Sequence, residues 1–396
     1  MEIQVTKQEL ETRVKRLCTA ISENYPEWDT AIIINRINQY YFTGTMQEGL
    51  LVIKNNGSAK YFVRRSYERA NEESPLKANY PMVSYRDVAQ VIGNDLGNTL
   101  IETETITIDI FERLRKYFNI KNIYPIENII FGVRSVKSPY ELNLLIEAGK
   151  QHSILFNEVL PSILREGMSE LDLTAELYQV MLKMGHHGVT RFYQHQTEII
   201  AGQVAFGENF LVPTNLDSPG GMRGMYPAVP IFGSGERILK KGDLIFVDVG
   251  FGICGYHSDR TQVYMFGANP SDEVVKAHRK CIEIEKRVAG LLKPGNIPAE
   301  IYNKVMNDLD TDFLNNFMGF GERKVKFLGH GIGLHVDEPP VIASGFNRPL
   351  QENMVIALEP KKGISGVGMV GVEDTYIVTP NGGQCITGGE KDIIVV

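Results

Sequence analysis

Five ionisable residues in the second half of the chain stand where apolar side chains or plain loop would be expected. In Gly242-Asp-Leu-Ile-Phe-Val-Asp248-Val-Gly250 a strand pattern puts Leu244, Phe246 and Asp248 on one face. That face is apolar, so the Asp248 carboxylate projects inward. Eleven residues later Asp259 leads a second strand pattern, with Thr261, Val263 and Met265 on its face. His330 lies between glycines in Phe327-Leu-Gly-His330-Gly-Ile-Gly-Leu334, where the backbone can come close to a neighbour. Glu359 ends the apolar run Met354-Val-Ile-Ala-Leu358, and Glu373 is expected inside one strand from Val370 to Ile377. A buried carboxylate is costly unless a cation, strong hydrogen bonds or a metal compensates it. Four carboxylates and one imidazole form a hard, oxygen-rich set. It suits Mn²⁺, Co²⁺, Fe²⁺ or Zn²⁺, and two ions more naturally than one, because carboxylates bridge. Taken singly, each residue also has an ordinary reading as an ion-pair partner, a loop residue or a strand end. Their order and spacing carry the argument.

The elements that must hold these residues follow a two-part plan. Lys7 to about Asn24 has helical spacing and is stopped by Pro26. A short apolar strand, Ala31 to Asn35, comes next. Gly49 to Ile53 and Lys60 to Val63 flank Asn55-Asn56-Gly57, a hairpin signal. Helix and strand patterns alternate to about Ile130, which predicts a small α/β domain over residues 1–133. A boundary falls in Arg134-Ser-Val-Lys-Ser-Pro139, and a larger α+β domain is expected over 134–396. Pro139 opens a helical stretch with Glu141 in its first turn. Helical patterns continue to about Met184, Gly202 to Gly242 reads as long loops and turns, and strands follow at Leu244–Gly250, Arg260–Phe266 and Val355–Leu358. Helices are expected from about Ser271 to Leu292 and from Ala299 to Phe317.

Bulk properties exclude several classes. The 396 residues exceed one ordinary core, and 43% hydrophobic with 22% charged residues is a globular composition. The net charge of −7 disfavours a nucleic-acid partner. No window approaches the roughly 20 apolar residues of a membrane span. The start of the chain lacks a basic, apolar leader pattern, and Cys18, Cys254, Cys281 and Cys385 are widely separated. These features read as a cytoplasmic protein with reduced thiols.

The succession Asp248, Asp259, His330, Glu359 and Glu373 resembles the metallopeptidase family of prolidases and Xaa-Pro aminopeptidases, whose "pita-bread" fold methionine aminopeptidases share. The surrounding words are similar too: Ile245-Phe-Val-Asp248-Val-Gly, Ser258-Asp259-Arg-Thr, Gly329-His330-Gly-Ile-Gly-Leu334, Leu358-Glu359-Pro and Gly371-Val-Glu373-Asp. Val136-Lys-Ser-Pro-Tyr-Glu141 and Tyr41-Phe-Thr-Gly44 extend the likeness over most of the chain. The resemblance implies a pita-bread catalytic domain behind a creatinase-type N-terminal domain, and a homodimer. It implies two divalent ions per chain, with Mn²⁺ the first choice. Asp248 would chelate one, His330 and Glu359 the other, and Asp259 with Glu373 would bridge them. A hydroxide between the ions would attack the amide bond preceding proline, with Glu359 as proton shuttle.

Two substrate-site histidines of prolidase-like members have no counterpart here. One place reads Pro230-Ile231 and the other holds Asp337. Asp337 would suit a substrate carrying positive charge near the scissile bond, and His186, His187, His195 and His335 are the candidate replacement donors. Asp337 and His335 therefore join His330 and Glu359 as expected catalytic residues. The Gly-rich runs at Ser218–Gly224 and Gly233–Gly235 lack the ending and context of a phosphate loop. Rival readings are a same-fold amidohydrolase acting on a non-peptide small-molecule amide and, behind it, a non-catalytic binding module. Metal-free creatinase-like relatives have lost the ligand set, which this chain keeps.

Overall fold

The computed structural model describes residues 4–193, 197–389 and 391–396. The chain divides into two compact units, Met1–Arg134 and Ser135–Val396. Among the described residues no helix is long and apolar enough to cross a membrane.

The first unit is one mixed six-stranded sheet with helices packed on it. Thr30–Ile33 and Asp95–Ile101 are its central strands; Gly49–Lys54, Ala59–Val63 and Asn79–Pro81 lie to one side and Asn119–Pro125 to the other. The Asn55-Asn56-Gly57 turn joins Gly49–Lys54 to Ala59–Val63, and Gly57 takes φ +82° as such a turn requires. The opening helix spans Lys7–Asn24, capped by the Thr6 side chain, with Leu10, Val14, Leu17 and Ile21 buried.

The second unit opens with the helix Pro139–Ile154, started by a capping box between Ser138 and Glu141. Two sheets then form the heart of the unit. One runs Ile394–Val395, Tyr256–Met265, Leu244–Ile253 and Gly202–Phe206 in lateral order. The other runs Glu338–Ala343, Phe327–Gly331, Val355–Leu358, Asp374–Thr379 and Gly382–Cys385. An isolated bridge between Thr261 and Glu373 joins them. Helices Glu170–Lys183 and Asp272–Leu291 cover the sheets with Leu173, Leu177, Cys281, Ile284 and Val288.

Three expectations are corrected. Gly202 begins a strand, not a loop, because Gly202–Phe206 pairs with Ile245–Val249, and a Cβ on Gly202 would fall 2.2 Å from the Asp248 carbonyl. The helix expected to Phe317 stops at Met306, and a separate turn of helix, Thr311–Leu314, starts afresh at the Asp310 cap. The strand expected from Val370 to Ile377 is broken. Gly371 takes φ +137° and ends Gly368–Gly371, and a new strand begins at Asp374. Glu373 thus sits in the break between the two strands, where its carbonyl accepts the Thr261 N–H at 3.2 Å.

Candidate metal and substrate site

Register decides which side chains meet. In the hairpin of Leu244–Ile253 and Tyr256–Met265, Asp248 stands opposite Thr261 and Asp259 opposite Gly250. Both carboxylates therefore project from the same face, two pairs apart along the ladder. In the second sheet His330 pairs with Ala357 and Leu358 with Asp374. Glu359 and Glu373 are the next residues out on those two strands, side by side at the sheet end. His330 reaches this point because its flanking glycines let three backbones close in. A Cβ on Gly329 would lie 2.2 Å from the Ala357 carbonyl oxygen, and one on Gly331 would lie 2.5 Å from that of Glu338.

The five sequence-singled residues converge in the interior. Asp259, His330 and Glu373 each present one donor atom, and these three atoms lie within 4.8 Å of one another. His330 Nε2 is 3.4 Å from Glu359 Oε1 and 3.7 Å from Glu373 Oε1. Thr261 Oγ1 donates to Glu373 Oε2 at 3.1 Å. A cavity of about 490 Å³ opens onto the cluster, lined by Asp248, Asp259, His330, Glu359 and Glu373 at its floor and by Phe192, Leu216, Phe327, Val336 and Phe346 on its walls.

A sixth residue, not singled out from the sequence, joins them. Lys361 is 0% exposed at its side chain, and its Nζ donates to Asp248 Oδ2 at 2.8 Å, Glu359 Oε2 at 2.8 Å and Glu373 Oε2 at 2.7 Å. Glu359 and Glu373 thus turn one oxygen to the imidazole and the other to the ammonium. Lys361 enters because it begins the strand Lys361–Ile364, whose residues alternate inward and outward and pair with Gly368–Gly371. Lys362, next along, points out to the carbonyls of Phe313 and Asn315.

Electrostatics follow from burial and neighbours. Burial, with the Asp248 carboxylate second, pushes Asp259 up to about 8. Burial and then Asp259 hold Glu373 well above the carboxylate range. Glu359 is drawn below its ordinary value, because Lys361 and His330 outweigh its burial. Burial opposes the charged forms of His330 and Lys361, yet the carboxylates win: His330 rises to about 9 and Lys361 well above its usual value. Four buried carboxyl groups share one ammonium and one imidazole, so a further cation is electrostatically called for on the Asp259–His330–Glu373 side. That donor set fits one divalent ion. The residues do not fit a second: Asp248, which would chelate it, and Glu373, which would bridge to it, each turn an oxygen to Lys361 Nζ instead.

The substrate-side residues divide. Asp337 lines the cavity, and its Oδ1 accepts the Tyr193 N–H at 2.6 Å. Burial pushes its carboxyl up to about 6, against that hydrogen bond and the His330 charge. His335 is not among the residues lining the cavity; its ring packs on Tyr193, with Nδ1 3.8 Å from Glu338 Oε2. Ile231 is also away from the cavity lining. His195 lies outside the described residues.

His186 and His187 are likewise not at the cavity. They form a buried cluster with His257 behind Gly252, where any Cβ would fall 2.0 Å from the His187 ring. Gly255 N–H donates to His187 Nδ1 and Gly252 N–H to His186 Nδ1, so both rings accept and are held neutral. Burial first, then the neighbouring imidazoles or Arg191, takes His187 down to about 2 and His257 to about 3; burial also lowers His186 to about 4. An unfolded histidine titrates near 6.5, so below that pH the unfolded chain binds more protons. Stability carried by these rings is present above about pH 6.5 and is lost as pH falls toward their folded values. The expected slope is up to about 1.4 kcal/mol per pH unit for each ring. Asp259 and Glu285, both raised to about 8, act in the opposite sense. The histidine share is therefore read by difference: His187→Gln should melt lower than wild type at pH 7 but lose less between pH 7 and 5. Equal melting slopes would rule the cluster out as an acid-sensitive element.

Gln203 is the residue that sequence reasoning missed on the substrate side. It pairs with Asp248 across the ladder, lines the cavity, is 3% exposed, and neither its amide oxygen nor its nitrogen has a hydrogen-bond partner among the described residues. A buried amide without a partner is costly unless a ligand supplies one. The available signal was a polar side chain within Gly202-Gln-Val-Ala-Phe206, masked by the glycine-rich surroundings.

The model of the Creatinase/Prolidase N-terminal domain matches residues 13–136, and that of Metallopeptidase family M24 matches residues 143–380. The chain is 25% identical to the Xaa-Pro dipeptidase of Pyrococcus furiosus over 392 residues, covering 97% of this chain and 100% of the relative. It is 26% identical to that of Pyrococcus horikoshii over 387 residues, 96% and 98% of the two chains. Among solved structures, an Xaa-Pro dipeptidase from Bacillus anthracis superposes with a TM-score of 0.79 at 23% identity, covering 98% of this chain and 100% of that one. The X-Pro aminopeptidase of Thermotoga maritima superposes at 0.76 and 24%, covering 97% and 99%. The structural likenesses fix the fold as the expected creatinase-type domain ahead of a pita-bread catalytic domain. With the family model spanning well over half its length, the chain belongs to metallopeptidase family M24, a family of metal-dependent peptidases.

Proposed function

We propose that the chain hydrolyses the peptide bond preceding proline in short peptides, using a divalent ion, Mn²⁺ first, held by Asp259, His330 and Glu373. The observation that carries this is the meeting of those three donors at the floor of a mainly apolar cavity large enough for a small peptide. A bound divalent ion would polarise the scissile carbonyl and make water ionisable near neutral pH. Glu359, kept ionised by Lys361, is the group set to take a proton from the attacking water and return it to the leaving nitrogen. Phe192, Leu216, Phe327 and Phe346 supply apolar wall for a proline ring, which has no N–H to satisfy. Gln203 offers an amide to the peptide backbone. Asp337 offers a carboxylate to a substrate amine, which supports a free N-terminus near the scissile bond.

The test is a panel of Xaa-Pro dipeptides, tripeptides and N-acetylated analogues, assayed with Mn²⁺, Co²⁺ or Zn²⁺. Cleavage of free-amine Xaa-Pro substrates is expected. Asp337→Asn should narrow the preference for free over acetylated amines, and Gln203→Leu should raise KM by about tenfold, the worth of one hydrogen bond. Metal-dependent hydrolysis of non-peptide amides with no Xaa-Pro cleavage would turn the proposal to the amidohydrolase reading.

A further inference from the structure

We infer that the Lys361 ammonium stands in the place of one of two metal ions, so that this chain has a one-metal centre. The inference rests on reading the site as a metal-dependent hydrolase. Its grounds are geometric. Three carboxylates from separate segments, Asp248, Glu359 and Glu373, direct one oxygen each at Nζ at 2.7–2.8 Å. To hold an ion instead, the same oxygens would have to close to about 2.0–2.2 Å around it. The ammonium already takes those oxygens in charge-assisted hydrogen bonds, its three N–H groups matched by three acceptors. Lys361 has no other place to go. Its side chain is fully buried, its strand is locked by pairing with Gly371, and the Phe246 ring lies 6.0 Å from Nζ.

Charge count points the same way. Asp248, Asp259, Glu359 and Glu373 bring four negative charges. One ammonium and one divalent ion offset three of them, with His330 as a neutral ligand. A second divalent ion beside the ammonium would instead make the cluster net positive. Asp248, expected to chelate a metal, is on this assignment the anchor of a lysine. Glu373, expected to bridge two ions, bridges an ion and an ammonium, and Glu359, expected to chelate an ion with His330, is anchored by the same ammonium.

The experiment uses the full-length wild type, Lys361→Ala, and Lys361→Met as a second variant that keeps the side-chain volume. Each is reconstituted with Mn²⁺ and freed of loose ion; ions per chain are then counted and the electron paramagnetic resonance spectrum recorded. The expected result is about one ion and an isolated-Mn²⁺ spectrum in the wild type. Lys361→Ala should take up about two ions and give the spectrum of a spin-coupled pair. Two ions in the wild type would overturn the inference and leave the hydrolase reading intact. One ion in wild type and in whichever variants fold would overturn the claim that the ammonium excludes the second. No ion in folded wild type, with no Mn²⁺-dependent rise in Tm, would overturn the underlying metal reading itself.

Discussion

His330→Ala should abolish divalent-ion binding and lower kcat/KM for an Xaa-Pro substrate by at least about 10³. His330 is the only nitrogen donor in the Asp259–His330–Glu373 group, and its imidazole also faces Glu359 at 3.4 Å. Removing it leaves two carboxylates to hold the ion. Loss of the several kcal/mol that a metal contributes to a charged transition state corresponds to a rate factor of about 10³ or more. Mn²⁺ titration followed by Tm separates this from misfolding: wild type should gain stability with added ion by mass action, and the variant should not. A folded variant that keeps its Mn²⁺-dependent rise in Tm would show that the ion sits elsewhere. Undiminished turnover with lost binding would show that the reaction does not use it.

How much of this centre could be read from the sequence depended on whether a residue broke a local pattern. Asp248 and Asp259 did, because each replaces an apolar side chain on the inward face of a strand. His330 was marked by glycines whose absent Cβ atoms do make room for three converging backbones. Glu359 and Glu373 sat beside apolar runs that proved to be neighbouring strands of one sheet. Lys361 broke no pattern. In Glu359-Pro-Lys-Lys-Gly363 nothing marks one lysine over the other, and only the pairing of Lys361 with Gly371 turns the first inward and the second out. Gln203 was hidden for a related reason. The Gly- and Pro-rich composition from Gly202 onward is a property of some forty residues, whereas the strand occupies the first five.

The histidines failed in the other direction. His186 and His187 looked like donors because they cluster in sequence, yet they pack behind Gly252, away from the cavity lining. Clustering in sequence says little about which face of the fold a ring will occupy. Nor could the break at Gly371 be read locally, since it depends on the close approach of Pro360, whose carbonyl oxygen would lie 2.4 Å from a Cβ there.

Metal-free Lys361→Met is expected to lose stability on the order of 3–5 kcal/mol at pH 8, the usual cost of removing one partner from a buried ion pair. For a unit of this size that is a fall in Tm of roughly 10 °C. Methionine fills the space but donates nothing, so Asp248, Glu359 and Glu373 lose the ammonium that offsets their desolvation. The sign with pH is fixed. Without the ammonium the buried Glu359 and Glu373 carboxyl groups have folded-state values raised above their unfolded ones, so the folded variant takes up protons as pH falls and regains stability. The gap to wild type should therefore narrow from pH 8 to pH 6. Excess Mn²⁺ should narrow it more steeply in the variant, because an ion can then enter where the ammonium was, and binding to the folded state alone raises stability. A gap that neither acid nor Mn²⁺ reduces would mean that Lys361 acts through packing. A gap closed by Mn²⁺ would identify its charge as the quantity the site requires, supplied in this chain by the polypeptide where the family supplies it by a metal.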